Sequence, residues 1–347
     1  MKPALRLAGA LLLSCFGLSA PALATEYPLP PENSRLIGEN TLTVVPDDHR
    51  PLEAIATHYK IGLLGMLEAN PGVDPWLPKA GTQLTIPQQM LLPDTPREGI
   101  VVNLAELRLY YYPKGSDSVV VYPIGIGQLG AATPVMVTAI SQKIANPTWT
   151  PTTNIRKRYA KEGVTLPAVV PAGPDNPMGL FALRLARGTG QYLIHGTNAD
   201  FGIGMRVSSG CIRLRPEDIE ALFKHVPKGT RVQIVNQPVK YAVEPDGKRY
   251  IEVHQPLSQS EKDDPQTMPI TLSKGMKQFI NHKASDSALI KAALARRSGM
   301  PVLVSKGEPV AEDTPLPAVM QPENSVEAQG NMPLTLGQAL GSDASEP

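Results

Sequence analysis

The sequence predicts a mainly β domain with a small βααβ unit ahead of it and a small α+β region behind it. Three observations predict this. Short β-rich runs dominate from about residue 98 to 238, residues 41–87 read strand–helix–helix–strand, and residues 239–304 read strand–turn–strand followed by a helix. Composition is globular, at 42% hydrophobic residues, and the 36 prolines imply many loops and linkers.

Residues 1–24 read as a secretory signal peptide. Lys2 and Arg6 supply the positive start, LAGALLLSCFGLSA the apolar core, and Ala22-Leu23-Ala24 an A-x-A cleavage site before Thr25. A lipoprotein reading of LLSC around Cys15 and an uncleaved signal anchor are the alternatives. The apolar run is too short and wrongly flanked for a stable membrane span. The chain carries 33 basic and 32 acidic residues, and loss of Lys2 and Arg6 leaves 31 against 32. A near-neutral mature chain argues against nucleic acid as a partner, since phosphate binding needs concentrated positive charge.

In the βααβ unit, TLTVV is the first strand. PLEAIATHYK places Leu52, Ile55, Ala56 and Tyr59 on one helical face, with Pro51 suited to the first turn. IGLLGMLEAN is the second helix, stopped by Asn70-Pro71, and TQLTIP is the returning strand. In the central domain, EGIVVNLAELRLYYYPK and SDSVVVYPIGIG are β-rich runs separated by KGSD, a hairpin turn, and QYLIHG and RVQIVN are further strands. RPEDIEALFKHV is a helix: Pro216 fits its first turn, Glu217 and Asp218 suit its positive end, and Ile219, Leu222, Phe223 and Val226 form its apolar stripe. YAVEPDGKRYIEV is a strand, an Asp-Gly turn and a strand. SDSALIKAALARRSG is a helix with Ser285 as N-cap and Gly299 beyond its end. Residues 305–347 hold seven acidic residues, one lysine and six prolines, the composition of a disordered tail.

GIGQLG, residues 125–130, has the glycine spacing of a dinucleotide fingerprint, but that spacing works only ahead of a helix N-terminus. AATPVMVT follows, so a turn between strands is the reading and no nucleotide cofactor is expected. The histidines are scattered and no Cys-x-x-Cys spacing exists, so no metal is expected either.

With Cys15 in the signal segment, Cys211 is the single thiol of an exported chain, unable to form an intramolecular bridge. The bland alternative is an inert buried thiol acting as a small apolar residue. His195 ends the apolar run Tyr192-Leu193-Ile194, which delivers its ring from a strand end. Gly210 allows close backbone approach beside the sulfur. Thiolate is the attacking form of cysteine, and an imidazole close to the sulfur is expected to leave it ionised. Tyr192, Trp149 and Met205 are expected in the core.

IHGT followed by SSGCIRLR resembles the signature of YkuD-type L,D-transpeptidases, in which a His-Gly pair precedes a Ser-His-Gly-Cys-x-Arg block. The likeness runs across residues 98–238 through IVVNLAELRLYYYP, PIGIGQLG, PTWTPT, PAVVPAGPDNPMG and RVQIVN. EAIATHYKIGLLGMLEANPGVD with AGTQLTIP, in residues 41–87, resembles a LysM glycan-binding module. Together they resemble the subgroup that links the murein lipoprotein to peptidoglycan. The resemblance implies a YkuD-like β-sandwich as the catalytic domain, with Cys211 as nucleophile and His195 as base. It implies that the Gly196 carbonyl fixes the imidazole tautomer, and it implies a periplasmic location. Peptidoglycan is the implied partner, with the murein lipoprotein as acyl acceptor. Backbone N–H groups at Gly210 and Cys211 are candidates for holding an oxyanion. Arg213 is a candidate for binding a substrate carboxylate, or else a member of a structural ion pair. Ser208 and Ser209 line the pocket or shape the turn.

One departure matters. Ser209 stands where the family block has histidine, so that histidine's role does not carry over. Two competing readings remain at this stage: a hydrolytic L,D-carboxypeptidase or amidase of the same family, and a non-catalytic peptidoglycan-binding protein.

Overall fold

The computed structural model describes residues 24–199 and 201–307. The expected signal peptide, apart from Ala24, and the expected tail beyond residue 307 lie outside the described residues. The chain opens with β1 (Thr25–Pro28) and β2 (Leu36–Ile37), then forms β3 (Thr41–Val44), α1 (Leu52–His58), α2 (Leu63–Ala69), β4 (Gln83–Ile86) and β5 (Met90–Leu91). The strands β3 and β4 pair antiparallel, with Thr43 opposite Leu84, so the predicted βααβ order closes on itself. Leu52, Ile55 and Ala56 of α1 are buried together with Leu63 and Met66 of α2 and Leu84 and Ile86 of β4. Tyr59 packs against this cluster and its hydroxyl meets that of Thr43 at 2.7 Å.

The central region comprises β6 (Gly99–Asn103), β7 (Arg108–Tyr112), β8 (Ser118–Pro123), β9 (Ile126–Gly127), β10 (Met136–Ala145), α3 (Thr153–Lys161), β11 (Phe181–Leu185), β12 (Leu193–His195), β13 (Arg206–Ser208), β14 (Ile212–Arg213), α4 (Pro216–His225) and β15 (Arg231–Val235). One nine-stranded sheet runs β1-β8-β7-β6-β15-β10-β11-β12-β14. Alternation along its strands explains the continuous apolar runs. Ile100, Val102, Leu109, Tyr111 and Tyr122 face one core, and Val101, Tyr110, Tyr112, Val119 and Val121 face another on the opposite side. Both faces are covered, so no polar alternation is needed. Beyond β8 the chain returns to the far edge of the sheet, where Gly125 and Arg213 exchange backbone hydrogen bonds of 2.8 Å each. The sheet therefore curls around the first core, which also takes Ile194, Ile212, Leu214 and the α4 stripe Ile219, Leu222 and Val226.

GIGQLG forms β9 and a turn in which Ala131 N–H donates to the Gln128 carbonyl, and the strand β10 follows. The helix α3 was not visible in the sequence reading because TNIRKRYAK buries no residue and offers no apolar stripe. It is started by Thr152, whose hydroxyl accepts from the Ile155 N–H at 3.3 Å.

The last part of the described chain forms β16 (Val239–Val243), β17 (Arg249–Val253), α5 (Lys274–Ile280), α6 (Ser287–Arg296) and β18 (Pro301–Leu303), with sheet order β16-β17-β18. Asp286, not Ser285, caps α6: its carboxylate accepts from Ala288 and Leu289 N–H at 2.8 and 3.0 Å. The Ser285 hydroxyl is instead buried, donating to the Phe279 carbonyl at 2.6 Å and accepting from Arg249 Nε at 2.8 Å.

A buried charge network joins all three parts. Lys240 Nζ of β16 stands 2.8 Å from Glu106 and 2.9 Å from Glu252 of β17. Arg108 of β7 reaches the same two carboxylates at 3.1 and 3.4 Å. His254 places Nε2 2.8 Å from Glu252 and Nδ1 2.8 Å from Glu68 of α2. Three carboxylates thus face Lys240, Arg108 and an imidazole. Burial opposes charge on His254, but Glu68 and Glu252 outweigh it and raise its pKa to about 9, so the ring is cationic at neutral pH and the charges balance.

Candidate active site

His195 ends β12 and Cys211 directly precedes β14. These strands pair in parallel with Ile194 opposite Ile212 and His195 opposite Arg213. Side chains alternate across a sheet, so His195, Arg213 and Cys211 project from one face and Ile194 and Ile212 point into the core. Cys211 lies on that face two residues before Arg213, the residue paired with His195 on the neighbouring strand. Sequence separation hid this proximity, which the strand register creates.

His195 is 5% exposed. Its Nδ1 donates to the Gly196 carbonyl at 2.6 Å, which fixes the tautomer and makes Nε2 the unprotonated nitrogen, and the Met178 backbone also bonds to the ring. Gly196 is required for packing: a Cβ there would come within 2.9 Å of the Ile219 side chain of α4. Burial, reinforced by the Arg213 charge, pushes the His195 pKa down to about 4. Cys211 is half-buried, and burial raises its pKa against the opposing pull of the Leu193 N–H and Arg213. Its thiol lies 3.5 Å from the Gln191 carbonyl, oriented to donate. The resting pair is therefore a neutral thiol and a neutral imidazole. This differs from the expected resting thiolate: burial is the largest influence on both groups and disfavours both charged forms.

The loop before the nucleophile is braced from within. Ser208 Oγ donates to the Cys211 carbonyl at 2.5 Å and accepts from the Gly210 N–H at 3.2 Å. Thr133 Oγ1 donates to the Gly210 carbonyl at 3.0 Å and accepts from the Gly127 N–H at 3.0 Å. Gly210 has φ +108, a conformation open to glycine. The Ser208 hydroxyl and Gly210 N–H are thus both committed to the turn, while Ser209 is exposed.

Arg213 is half-buried with its Nε enclosed and without a hydrogen-bond partner, and among the described residues no carboxylate lies within ion-pair distance of it. The ion-pair alternative thus finds no partner among the described residues. Burial lowers its pKa, while Tyr159 of α3 and Cys211 favour its charge. Of the aromatic and sulfur residues expected in the core, Met205 is buried, but in the core of the βααβ unit. Tyr192 is partly buried with its ring edge beside Gly210. Trp149 departs from expectation: it is half-buried in a loop where its backbone bridges Val170.

Sequence reasoning missed Thr133, Tyr159, Gly202 and the carbonyl of Gln191, since none belongs to a motif. It also missed that Glu106, Glu252 and His254 bring potential metal-ligand atoms within 4.8 Å of one another. The Lys240 ammonium already takes the cation position among them.

A curled β sheet with a cysteine and a tautomer-fixed histidine on one face of paired strands at its edge defines the class. The family profile for the L,D-transpeptidase catalytic domain matches residues 97–234, and that for the L,D-transpeptidase C-terminal domain matches residues 238–304. The chain belongs to the L,D-transpeptidase family and is an enzyme of it. It is 61% identical over 291 residues to the probable L,D-transpeptidase YcfS of Escherichia coli K12, covering 83% of this chain and 91% of that one. It is 58% identical over 290 residues to the probable L,D-transpeptidase ErfK/SrfK of the same strain, covering 82% and 93%. To the probable L,D-transpeptidase YbiS it is 55% identical over 290 residues, covering 82% and 94%. No helix among the described residues is long and apolar enough to cross a membrane.

Proposed function

We propose that this chain cleaves the terminal D-alanine from peptidoglycan tetrapeptide stems in the periplasm, holds the remaining acyl group as a thioester on Cys211, and transfers it to an amine. The acceptor we propose is a lysine side chain of the murein lipoprotein. The observation that carries this reading is the His195 tautomer: Nδ1–H is spent on Gly196, so Nε2 is the nitrogen able to act as base, on the same sheet face as the only thiol among the described residues.

The chemistry needs no activated nucleotide, because an existing peptide bond supplies the energy. As the sulfur attacks the carbonyl carbon of the third stem residue, the Cys211 proton passes to His195 Nε2. The Cys211 backbone N–H supports the oxyanion, since the Gly210 N–H is occupied by Ser208. Collapse breaks the C–N bond, and the imidazolium protonates the departing D-alanine amine. The acceptor amine then attacks the thioester carbon, gives its proton to His195, and the thiol is restored with that proton. Arg213 holds a stem carboxylate, an anion that its half-buried guanidinium does not find among the described residues. Ser209 leaves the mouth of the site open where the family block has an imidazole. The βααβ unit acts as a LysM module on the glycan strand. Its loops at residues 46–51 and 71–82, where Trp76 and Leu77 are more than half exposed, are the surface proposed to meet the glycan.

Incubation with a disaccharide-tetrapeptide, with and without an amine acceptor, tests this by mass spectrometry. The expected products are a Cys211 acyl adduct and an acceptor conjugate. Tripeptide alone in both tubes would establish hydrolysis, and no adduct on folded protein would leave a binding module.

A further inference from the structure

The βααβ unit is not tethered beside the catalytic part; it is built into the wall of its active site. Leu63 and Leu64, at the start of α2, donate their N–H groups to the carbonyls of Ile203 and Gly204 at 3.3 and 3.1 Å. Gly62 and Gly204 approach so closely that a Cβ on Gly204 would lie 2.2 Å from the Leu63 nitrogen. Met205 is buried in the core of the βααβ unit. Arg215, which begins α4, donates to Thr57 Oγ1 at 3.2 Å and to the Ile61 carbonyl at 3.0 Å. The segment leading to the nucleophile therefore rests on a separate folding unit.

One contact points into the site. The Glu53 carboxylate of α1 accepts from the Gly202 N–H at 3.0 Å. Gly202 has φ +99, and a Cβ on it would lie 3.3 Å from Arg213 Nη1. Its carbonyl sits against Gly125, whose backbone pairs with that of Arg213. A shift of the Gly202 peptide must therefore move the surface against which the guanidinium lies.

We propose that Glu53 is a positioning residue for the donor subsite: by holding the Gly202 N–H it fixes the loop that sets Arg213 toward the carboxylate of the donor stem. Recognition of the donor by the catalytic part thus depends on a side chain of the βααβ unit. The inference rests on the reading of Arg213 as the donor-carboxylate group.

The test uses the full chain, a disaccharide-tetrapeptide donor and a saturating amine acceptor. Glu53→Ala is expected to raise the donor KM about tenfold, the scale of a sub-ångström misplacement, with kcat changed far less. Glu53→Gln keeps the acceptor oxygen and is expected to restore the wild-type KM. Alkylation of Cys211 by iodoacetamide, which is neutral and needs no arginine, should be unaffected. In an Arg213→Met background the effect of Glu53→Ala should vanish, because both substitutions act on one interaction. An unchanged KM in Glu53→Ala while Arg213→Met raises it would overturn the inference alone. An unchanged KM in Arg213→Met would overturn the carboxylate reading beneath it. Equal losses of donor turnover and alkylation in Glu53→Ala, without rescue by Glu53→Gln, would reduce Glu53 to a structural contact.

Discussion

Raising the pH should loosen the junction between the three parts of the molecule before it affects the fold of any one of them. His254 is fully enclosed between Glu68 of the βααβ unit and Glu252 of the C-terminal sheet. Its pKa in the folded chain is about 9, against 6.5 for an unperturbed imidazole. Each unit of difference is worth about 1.4 kcal/mol, so the proton contributes about 3 kcal/mol to folding. Because the folded value is the higher one, this stability is complete below about pH 6.5 and is lost as pH rises through about 9. Urea unfolding of the Cys211→Ala chain between pH 7 and 9.5 isolates the effect. The substitution removes the thiol, and the window stays below the range where the raised tyrosine pKa values of Tyr110, Tyr112 and Tyr122 enter. Stability should fall by most of this amount over the window. In a His254→Gln chain it should start lower at pH 7 and then change little. A flat wild-type profile, or the same slope in His254→Gln, would refute the assignment of a charged imidazole.

Three further outcomes follow from the geometry. Lys240→Met removes the ammonium shared by Glu106 and Glu252 and should cost about 3–5 kcal/mol in denaturant unfolding at pH 7; a loss under about 1 kcal/mol would mean the network does not bear on stability. Iodoacetamide should modify Cys211 slowly at pH 7 and faster only as pH rises toward and above 9; a step near pH 4–6 would reveal a resting ion pair instead. Thr133→Val removes the hydroxyl that joins Gly127 to Gly210, and acylation by the tetrapeptide should slow about tenfold with Cys211 still alkylatable; an unchanged rate would show that the nucleophile loop needs no such brace.

The elements readable from sequence were those whose periodicity reports burial. The α4 stripe and the helices of the βααβ unit are of this kind, because one face meets a core. Strands β6 to β8 were legible as apolar runs, but their two-sided burial was not, since Tyr110 and Tyr111 look alike and face opposite cores. The polar α3 has no pattern to read. At the site, His195 and Cys211 were legible through a resemblance and not through their spacing, which strand register alone makes meaningful. Glu53, Thr133 and the Lys240 network escaped because their partners lie far along the chain, 149 residues away for Gly202 and Glu53.

The neutral resting pair also bears on how a lone thiol would endure in the periplasm, the location proposed above for this chain. Oxidation and mixed-disulfide exchange proceed through thiolate, so a thiol whose pKa is raised by burial is protected in proportion to that rise. The same burial would disable a nucleophile unless a base removed the proton during attack. His195 meets that need because its own pKa is lowered: it stays unprotonated across the neutral range, with its tautomer fixed by Gly196. Protection and readiness thus come from one cause, desolvation of both partners, and reactivity appears only when a carbonyl carbon arrives to take the electrons as the proton moves. Opening the site should then raise oxidation faster than it raises turnover. Tyr192→Ala, which uncovers the loop at Gly210 beside Cys211, is the variant in which to compare the two; if peroxide sensitivity and acyl transfer rise together, burial is not what shields the thiol.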